Sequence, residues 1–302
     1  MSNYTSNDII NAIVAAAKAL EARKDEINRL NVFPVPDGDT GTNMSLTLAM
    51  VVDNLAKLPI GASSEDRRRA ITTGALMGAR GNSGVITSQI MRGLCEGIAD
   101  HEEFDIVAVD DAFSRAVEVA FNAVRKPVEG TILTVLRDTA TAAHRARKKK
   151  MELDEGLQFI VGESYASVQR TPELLPVLKE NGVVDAGGFG IAIFFDSFVA
   201  SLTGRAEAMV DELAFARTAA PKVEIEQIND WEGSKYKYCN EFLVNSETLD
   251  PEEALDFLQA MGDCELCVGS TPKFKVHVHS NTPDKVLAYF LERGEIFEVF
   301  IH

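Results

Sequence analysis

The chain has 302 residues, 46% of them hydrophobic, and a formal net charge of −16. This length allows one large domain or two ordinary ones. The acidic balance argues against a general binder of nucleic acids or anionic membranes, which would need a basic face. The four cysteines are irregularly spaced and form no disulfide framework. Because the first residues lack a signal-peptide pattern and no apolar run suits a transmembrane segment, we expect a cytoplasmic protein.

Residues 1–205 contain successive segments whose apolar residues recur at helical spacing. The first segment follows the capping residues 6–8, and the last runs from Gly188 to Leu202. The connections are short, and strand-like alternation is nearly absent. The pattern therefore predicts an all-α domain of about eight helices, arranged as a bundle or a helical barrel.

Residues 31–44 place two carboxylates beside the start of a predicted helix. Gly38 allows a tight turn between Asp37 and Asp39. Carboxylates this close repel each other unless a cation lies between them, whereas the exposed amides of a helix start favour an anion such as phosphate. A nucleotide with bound Mg²⁺ satisfies both preferences. The alternative is a simple Asp-Gly turn followed by a helix cap.

Two further glycine-rich segments precede predicted helices. In residues 78–84, three glycines surround Asn82 and Ser83, which suits either close approach of amides to phosphate or tight packing of two helices. In the second segment, Asp185 is followed by Gly187 and Gly188, which suits either a ligand loop or a helix-capping turn. No βαβ pattern surrounds it, so it is not a dinucleotide-binding fingerprint.

The sequence changes character after residue 205. Residues 206–222 are typical of a linker, and residues 223–302 show the order β-α-β-β-α-β. That order predicts a small α+β domain of ferredoxin-like type. Because the chain ends inside an apparent strand, we expect it to be truncated at its C-terminus.

Cysteine and histidine residues concentrate in this second domain. His277 and His279 are two residues apart on a predicted strand, so their side chains face the same way. With Cys264 and Cys267 they make a four-ligand set that would suit Zn²⁺. The alternative is that the histidines lie on a solvated sheet and the cysteines pack as small apolar groups.

The chain resembles the dihydroxyacetone kinase family, and within it the branch of the ATP-binding subunits of bacterial fatty acid kinases. Residues 33–44, 78–84 and 185–188 carry the resemblance over residues 1–205, and residues 236–242 and 275–279 extend it into the second domain. It implies an antiparallel eight-helix barrel at whose end aspartates hold two Mg²⁺ ions that bridge the ATP phosphates.

The resemblance also implies roles for individual residues. Asp37 and Asp39 would bind Mg²⁺, with Asn31 near the place of a further aspartate. A Zn²⁺ site would consist of Cys239, His277 and His279 without the paired cysteines. The implied nucleotide contacts are Thr40, Thr42, Asn43, Met44, Gly81, Asn82, Ser83, Gly84, Thr131, Asp185 and Gly187.

The function implied by the resemblance is ATP- and Mg²⁺-dependent phosphoryl transfer. The acceptor would be a fatty acid presented by a separate fatty-acid-binding protein, the product an acyl phosphate for phospholipid metabolism, and the assembly a homodimer. Two alternatives stay open: a dihydroxyacetone-type kinase subunit, and a non-catalytic adaptor in which the nucleotide only stiffens the helical domain.

Overall fold

The computed structural model describes residues 4–205 and 235–302. The described chain is a mostly helical first part followed by a small second part, in which helices accompany a four-stranded antiparallel sheet. This confirms the predicted order of an all-α part and an α+β part. The predicted linker, residues 206–222, and the start of the predicted second domain, residues 223–234, lie outside the described residues.

Capping boxes and glycines mark several helix ends in the first part. Thr5 and Asp8 form a reciprocal capping box at the first helix, which therefore begins one residue earlier than the sequence pattern indicates. Gly182 and Gly204 end two helices in the left-handed conformation. The helices are α1 Ser6–Ala22, α2 Lys24–Asn28, α3 Thr40–Ala56, α4 Ser64–Gly78, α5 Gly81–Gly97, α6 Ile106–Ala123, α7 Ile132–Lys148, α8 Leu153–Leu174, α9 Pro176–Asn181 and α10 Ala186–Thr203.

The long helices of the first part pack in chain order, from α3 on α4 through to α7 on α8. Helix α10 contacts α8 and α7, and α1 contacts both α10 and α3, so the series of contacts closes on itself. Gly93 and Gly97 let α5 approach the backbone of α6, because a Cβ at either position would collide with that backbone. The eight-helix barrel stays a prediction, although this closed series of contacts is compatible with it.

Helix α10 is the most apolar helix of the first part. It is long and apolar enough to cross a membrane by length and composition, with a mean hydropathy of 1.5. However, 78% of it is buried inside the protein, which is typical of a core helix. Asp196 near its middle is fully buried and pairs with Arg205 and Tyr165.

The second part contains one sheet and two helices. Its strands lie in the order β2-β3-β1-β4, and every neighbouring pair is antiparallel. The ferredoxin-like type stays a prediction, and the described elements follow the chain order β-α-β-β-α-β on which it was based. They are β1 Tyr238–Asn245, α11 Pro251–Met261, β2 Gly262–Ser270, β3 Lys273–Ser280, α12 Pro283–Leu291 and β4 Glu295–Ile301.

The two faces of this sheet differ in chemistry. On one face, alternate residues such as Phe242, Val276 and Val278 form a hydrophobic core with α11 and α12. On the other face, Leu266 and Val268 pack against apolar residues of the first part. The sheet also brings titratable side chains into the contact between the two parts. The same alternation places on this face, all buried, Cys239, Glu241, Lys275, His277 and His279.

Truncation of Phe242 tests the core of the second part. Phe242 is fully buried and packs edge-to-face on Phe290 at a centroid distance of 5.1 Å. We expect Phe242→Ala to lower the free energy of unfolding by about 3–5 kcal/mol, because it removes buried area and leaves a cavity. Leu291→Ala, at a position that is 58% exposed, is the control and should cost less than about 1 kcal/mol. Equal urea unfolding midpoints for the two variants would contradict this packing.

Candidate active site

The acidic loop, residues 37–39, brings two carboxylates together at the start of α3. Gly38 adopts a positive φ of 67°, which makes the tight turn, and Asp39 takes the N-cap position of α3. Desolvation, and then the charge of Asp39 and a hydrogen bond with it, raises the pKa of Asp37 from 3.8 to about 8. Asp37 still has solvent-exposed surface, so a cation can reach the pair. The geometry is that of two like charges which a bound cation would stabilise.

The backbone amides at the start of α3 are already bonded, which corrects the expectation that they are free for phosphate. Asn28 Oδ1 accepts from the amides of Gly41 and Thr42 at 2.8 and 3.1 Å. Asn31 Oδ1 accepts from both the amide and the hydroxyl of Thr40. The asparagines of the preceding segment therefore cap this helix. In this conformation Asn31, predicted as a Mg²⁺ ligand, uses its amide oxygen to brace the loop.

The start of α5 lies directly against the first turns of α3. Gly81 has a positive φ of 57°, and a Cβ there would collide with the side-chain amide of Asn43. A Cβ at Gly84 would come within 2.6 Å of the Thr47 hydroxyl. The glycines thus allow close packing of the two helices, one of the alternatives for this segment, and the same packing brings the segment beside Asn43.

The other two predicted nucleotide-binding positions, Thr131 and Asp185, also lie close together. Asp185 caps α10 by accepting from the amide of Gly188 at 2.7 Å, and it accepts from the amide of Ile132 at the start of α7. Thr131 is the N-cap residue of α7, and its hydroxyl donates to the carbonyl of Val128. Asp185 therefore joins the starts of two helices.

The starts of α3, α5, α7 and α10 share one end of the first part. Met44, one turn into α3, packs against Gly190, one turn into α10, so these helices begin at the same level. The contacts of α5 with α3, and of α7 with α10, place the other two starts there as well. The positive ends of several helix dipoles thus converge beside the acidic loop. Met44 itself is fully buried in the core, so its side chain lines no accessible surface.

The second part contributes a compact Cys/His cluster, defined by Cys239, His277 and His279. Their potential ligand atoms all lie within 4.8 Å of one another, and all three residues are buried. Cys239 is directly opposite His279 in the sheet, and its Sγ is 3.8 Å from His277 Nδ1. Burial alone would raise the pKa of the Cys239 thiol, but the facing His277 imidazole lowers it below its usual value. A thiolate and two imidazoles are a donor set that suits Zn²⁺.

The alternative set with both cysteines of the Cys264–Cys267 pair is not assembled. Cys267 belongs to the hydrophobic core on the opposite face of the sheet from the histidines. Cys264 lies at an irregularity of β2 with a positive φ of 55°, and it groups instead with Asp263 and His279. The alternation of side chains along a strand separates residues three apart onto opposite faces unless a bulge intervenes, and here Cys267 stays on the helix side.

The Cys/His cluster and the start of α5 are in contact. Glu241 Oε1 accepts from the amide of Gly81 at 2.5 Å, and the Asn82 side chain hydrogen-bonds the thiol of Cys264. Glu241 was not among the residues predicted for either site. Its position carried a detectable signal, because it lies two residues after Cys239 on a predicted strand and therefore shares its face.

His302, at the end of the chain, also contacts the Cys/His cluster and was not predicted. Its backbone pairs with that of Cys239 in both directions. A side-chain hydrogen bond with Cys239, followed by the charges of Cys239, Glu241 and Asp39, raises the pKa of the His302 imidazole. The acidic loop and the Cys/His cluster are therefore close enough to influence the same side chain.

Comparisons with known proteins agree with this division into two parts. The family model described as "DAK2 domain" matches residues 34–200, and the model of the FakA-like middle domain of fatty acid kinases matches residues 235–302. The fold and the site thus define a kinase-family protein in which a second domain faces the helical one. The chain belongs to the DAK2 domain family, which confirms the resemblance to dihydroxyacetone kinase-like proteins.

Curated relatives cover nearly all of this chain. An uncharacterized protein of Staphylococcus haemolyticus (strain JCSC1435) is 37% identical over 295 residues, and one of Staphylococcus aureus (strain N315) is 38% identical over 296 residues. Each match covers 95% of this chain and 53% of the relative. The chain therefore spans about half the length of the curated relatives it matches.

Among solved structures, the dihydroxyacetone kinase from C. freundii in complex with AMP-PNP and Mg²⁺ is similar to 66% of this chain. The similarity has a TM-score of 0.49 and 15% sequence identity, and it covers 34% of that chain. The native form of the same kinase gives the same TM-score and identity.

The pH dependence of stability tests the buried position of Asp185. Burial raises the pKa of this carboxyl from 3.8 to about 7. Between these values the folded protein retains a proton that the unfolded chain releases, so this stabilisation is complete below about pH 4 and is lost as the pH rises through about 7. We expect the melting temperature of the wild type, relative to Asp185→Asn, to fall over that range.

The control is Asp53→Asn, at an exposed position on α3, which should show no such trend. A difference between wild type and Asp185→Asn that stays constant from about pH 4 to about pH 7 would show that Asp185 is ionised in the folded state throughout.

Proposed function

We propose that this chain forms the ATP- and Mg²⁺-dependent part of a kinase subunit. It would transfer the γ-phosphoryl group of ATP to the carboxylate of a fatty acid that a separate fatty-acid-binding protein presents, and the product would be an acyl phosphate. The observation that supports this most is the acidic loop, residues 37–39, at the end where four helices begin. The match of residues 235–302 to the FakA-like middle domain of fatty acid kinases supports the acyl acceptor.

The acidic loop fits the proposed Mg²⁺ ions. Asp37 and Asp39 offer hard oxygen donors, and the raised pKa of Asp37 is consistent with a pair whose charge the described residues do not compensate. Bound Mg²⁺ would neutralise charge on the β- and γ-phosphates, while Asn43, Asn82 and the converging helix starts would hold these phosphates in line. Such catalysis depends mostly on positioning and electrostatics. A carboxylate acceptor needs no protein nucleophile.

The adenosine end of the nucleotide would lie toward Thr131 and Asp185. These residues stand at the starts of α7 and α10, at the same end of the first part as the acidic loop. Gly187 fits this role, because it packs on Ile132 and a larger residue would push the two helix starts apart. This assignment puts the phosphates between the α3 and α5 starts and the base against the α7 and α10 starts.

The Cys/His cluster fits a zinc ion. His277 is 1% exposed, and its Nε2 has no hydrogen-bond partner among the described residues, which leaves a buried lone pair suited to a metal. Cys239, His277 and His279 supply three ligands, and a site with three protein ligands keeps a position for water or substrate. Since the cluster faces the start of α5, such a position would open toward the phosphates.

An acceptor comparison tests the proposed reaction. The protein with ATP and Mg²⁺ would be incubated with fatty acid bound to its binding protein, with free fatty acid, with dihydroxyacetone, or without acceptor, and ADP release would be measured. We expect release with the protein-bound fatty acid and formation of a hydroxylamine-sensitive acyl phosphate. Turnover only with dihydroxyacetone would favour the ketone kinase, and nucleotide binding without turnover would favour the adaptor. The proposed homodimer is checked by sedimentation of the same sample.

Removal of Asp37 tests the Mg²⁺ assignment. We expect Asp37→Ala to lower the rate of ADP formation about 10³-fold or more, because the charge of the phosphates is no longer neutralised by a held metal. Calorimetry should show that MgADP binding is weakened while the helical circular dichroism is unchanged. Asp53→Ala, an exposed aspartate on the neighbouring helix α3, is the matched control. MgADP affinity equal to that of the wild type would overturn the assignment.

Cysteine variants test the zinc assignment. We expect Cys239→Ala to lose bound zinc, since it removes the only thiolate of the Cys/His cluster, and Cys267→Ala to retain it, since Cys267 lies on the other face of the sheet. Elemental analysis of the purified proteins gives the zinc content. Full zinc occupancy in Cys239→Ala would rule out the proposed ligand set, and zinc loss only in Cys264→Ala would favour the neighbouring group of Asp263, Cys264 and His279.

A further inference from the structure

Both histidines of the Cys/His cluster are contacted by a carboxylate at the same ring nitrogen. Glu241 Oε1 lies 3.0 Å from His277 Nδ1, and Asp263 Oδ1 lies 3.6 Å from His279 Nδ1. Metal-binding histidines commonly donate one ring N–H to a carboxylate, which fixes the ring orientation and leaves the other nitrogen for the metal. In both rings that other nitrogen is Nε2, so the two carboxylates orient the imidazoles alike.

The two carboxylates differ in what else they contact. Asp263 is half-exposed, whereas Glu241 is only 2% exposed and reaches across to the first part. The oxygen that faces His277 is the same atom that accepts from the amide of Gly81 at 2.5 Å. The other oxygen of Glu241 faces the fully buried ammonium of Lys275 at 4.0 Å. One buried oxygen atom therefore joins a histidine of the cluster to the first residue of α5.

The start of α5 depends on this contact for its cap. Its N-cap residue is Arg80, which makes no side-chain hydrogen bond to the helix amides. A helix start without a cap leaves amides unsatisfied, and here the buried carboxylate of Glu241 fills that need from another part of the chain. The neighbouring residues Asn82 and Ser83 are those proposed to hold phosphate. Any displacement of Glu241 therefore alters the segment that receives the nucleotide.

We propose that Glu241 is a positioning residue that couples the Cys/His cluster to the nucleotide-binding start of α5, whereas Asp263 orients only His279. The proposal rests on the proposed function. A metal bound at His277 holds the imidazole, the imidazole holds the Glu241 carboxylate, and the carboxylate sets the position of the Gly81 amide. Coupling between two sites is reciprocal, so a bound nucleotide also changes the affinity for the metal.

The experiment measures two affinities in four proteins: wild type, Glu241→Gln, Asp263→Asn and the control Glu247→Gln, at an exposed position of the same domain. Competition with a chelator gives the Zn²⁺ affinity, and the visible spectrum of the Co²⁺-substituted protein reports the ligand geometry. Calorimetry gives the MgADP affinity of each protein with and without bound Zn²⁺. Circular dichroism and thermal melting establish that each variant is folded.

We expect Glu241→Gln and Asp263→Asn each to weaken Zn²⁺ binding about 10–100-fold, because each removes a carboxylate that orients a histidine. In the wild type and in Asp263→Asn, the MgADP affinity should differ about fivefold or more between the zinc-loaded and zinc-free forms. In Glu241→Gln the two affinities should become nearly equal. A merely structural role of Glu241 would lower the melting temperature and leave their ratio unchanged.

Three results would overturn the proposal, and they separate it from the proposed function. A wild-type protein that binds MgADP equally well with and without zinc has no coupling, although the kinase proposal stands. A Glu241→Gln protein with the wild-type ratio shows that the coupling takes another route. A wild-type protein that binds no MgADP, or no Zn²⁺, removes the proposed nucleotide or zinc site and the coupling with it.

Discussion

Close packing of the α3 and α5 starts is the constraint on which the candidate site depends. Gly81 and Gly84 leave no room for a Cβ against Asn43 and Thr47, so the two helices meet backbone to side chain at their first turns. Because of this approach, the acidic loop before α3 and the glycine-rich segment before α5 lie at one end of the helical part. A larger residue at either glycine would separate the carboxylates from the segment proposed to hold phosphate.

The sheet of the second part extends this arrangement through its chemically different faces. Its apolar face packs on two helices and stabilises the fold, while the face with Cys239, Glu241 and the two histidines is turned toward the first part. Burying several titratable groups is costly unless they pair or bind a metal. Here Glu241 pairs with His277 and Lys275, and the buried Nε2 of His277 gives the cluster a reason to hold a cation. The contact between the parts is thus polar at its centre.

Much of the local structure could be predicted from the sequence. Helical spacing in residues 1–205 and alternation after residue 235 predicted the order of elements, and the spacing of His277 and His279 predicted that they share a face. The capping of α3 by Asn28 was missed, because that contact joins residues thirteen positions apart. Met44 was assigned to the nucleotide by its place in a motif, yet its side chain points into the core. A motif names neighbours in sequence and does not tell which of them face the ligand.

The sequence by itself determined what local periodicity, capping and glycine chemistry can encode: the helices, the strands, the tight turn between two aspartates and the family of the chain. Only the tertiary structure decided which of these features meet. It placed four helix starts at one end, put Cys267 on the opposite face of the sheet from the histidines, and brought Glu241 to Gly81 across 160 residues of sequence. The physical reason is that backbone preferences act over a few residues, whereas packing and the pairing of buried polar groups depend on the whole folded chain.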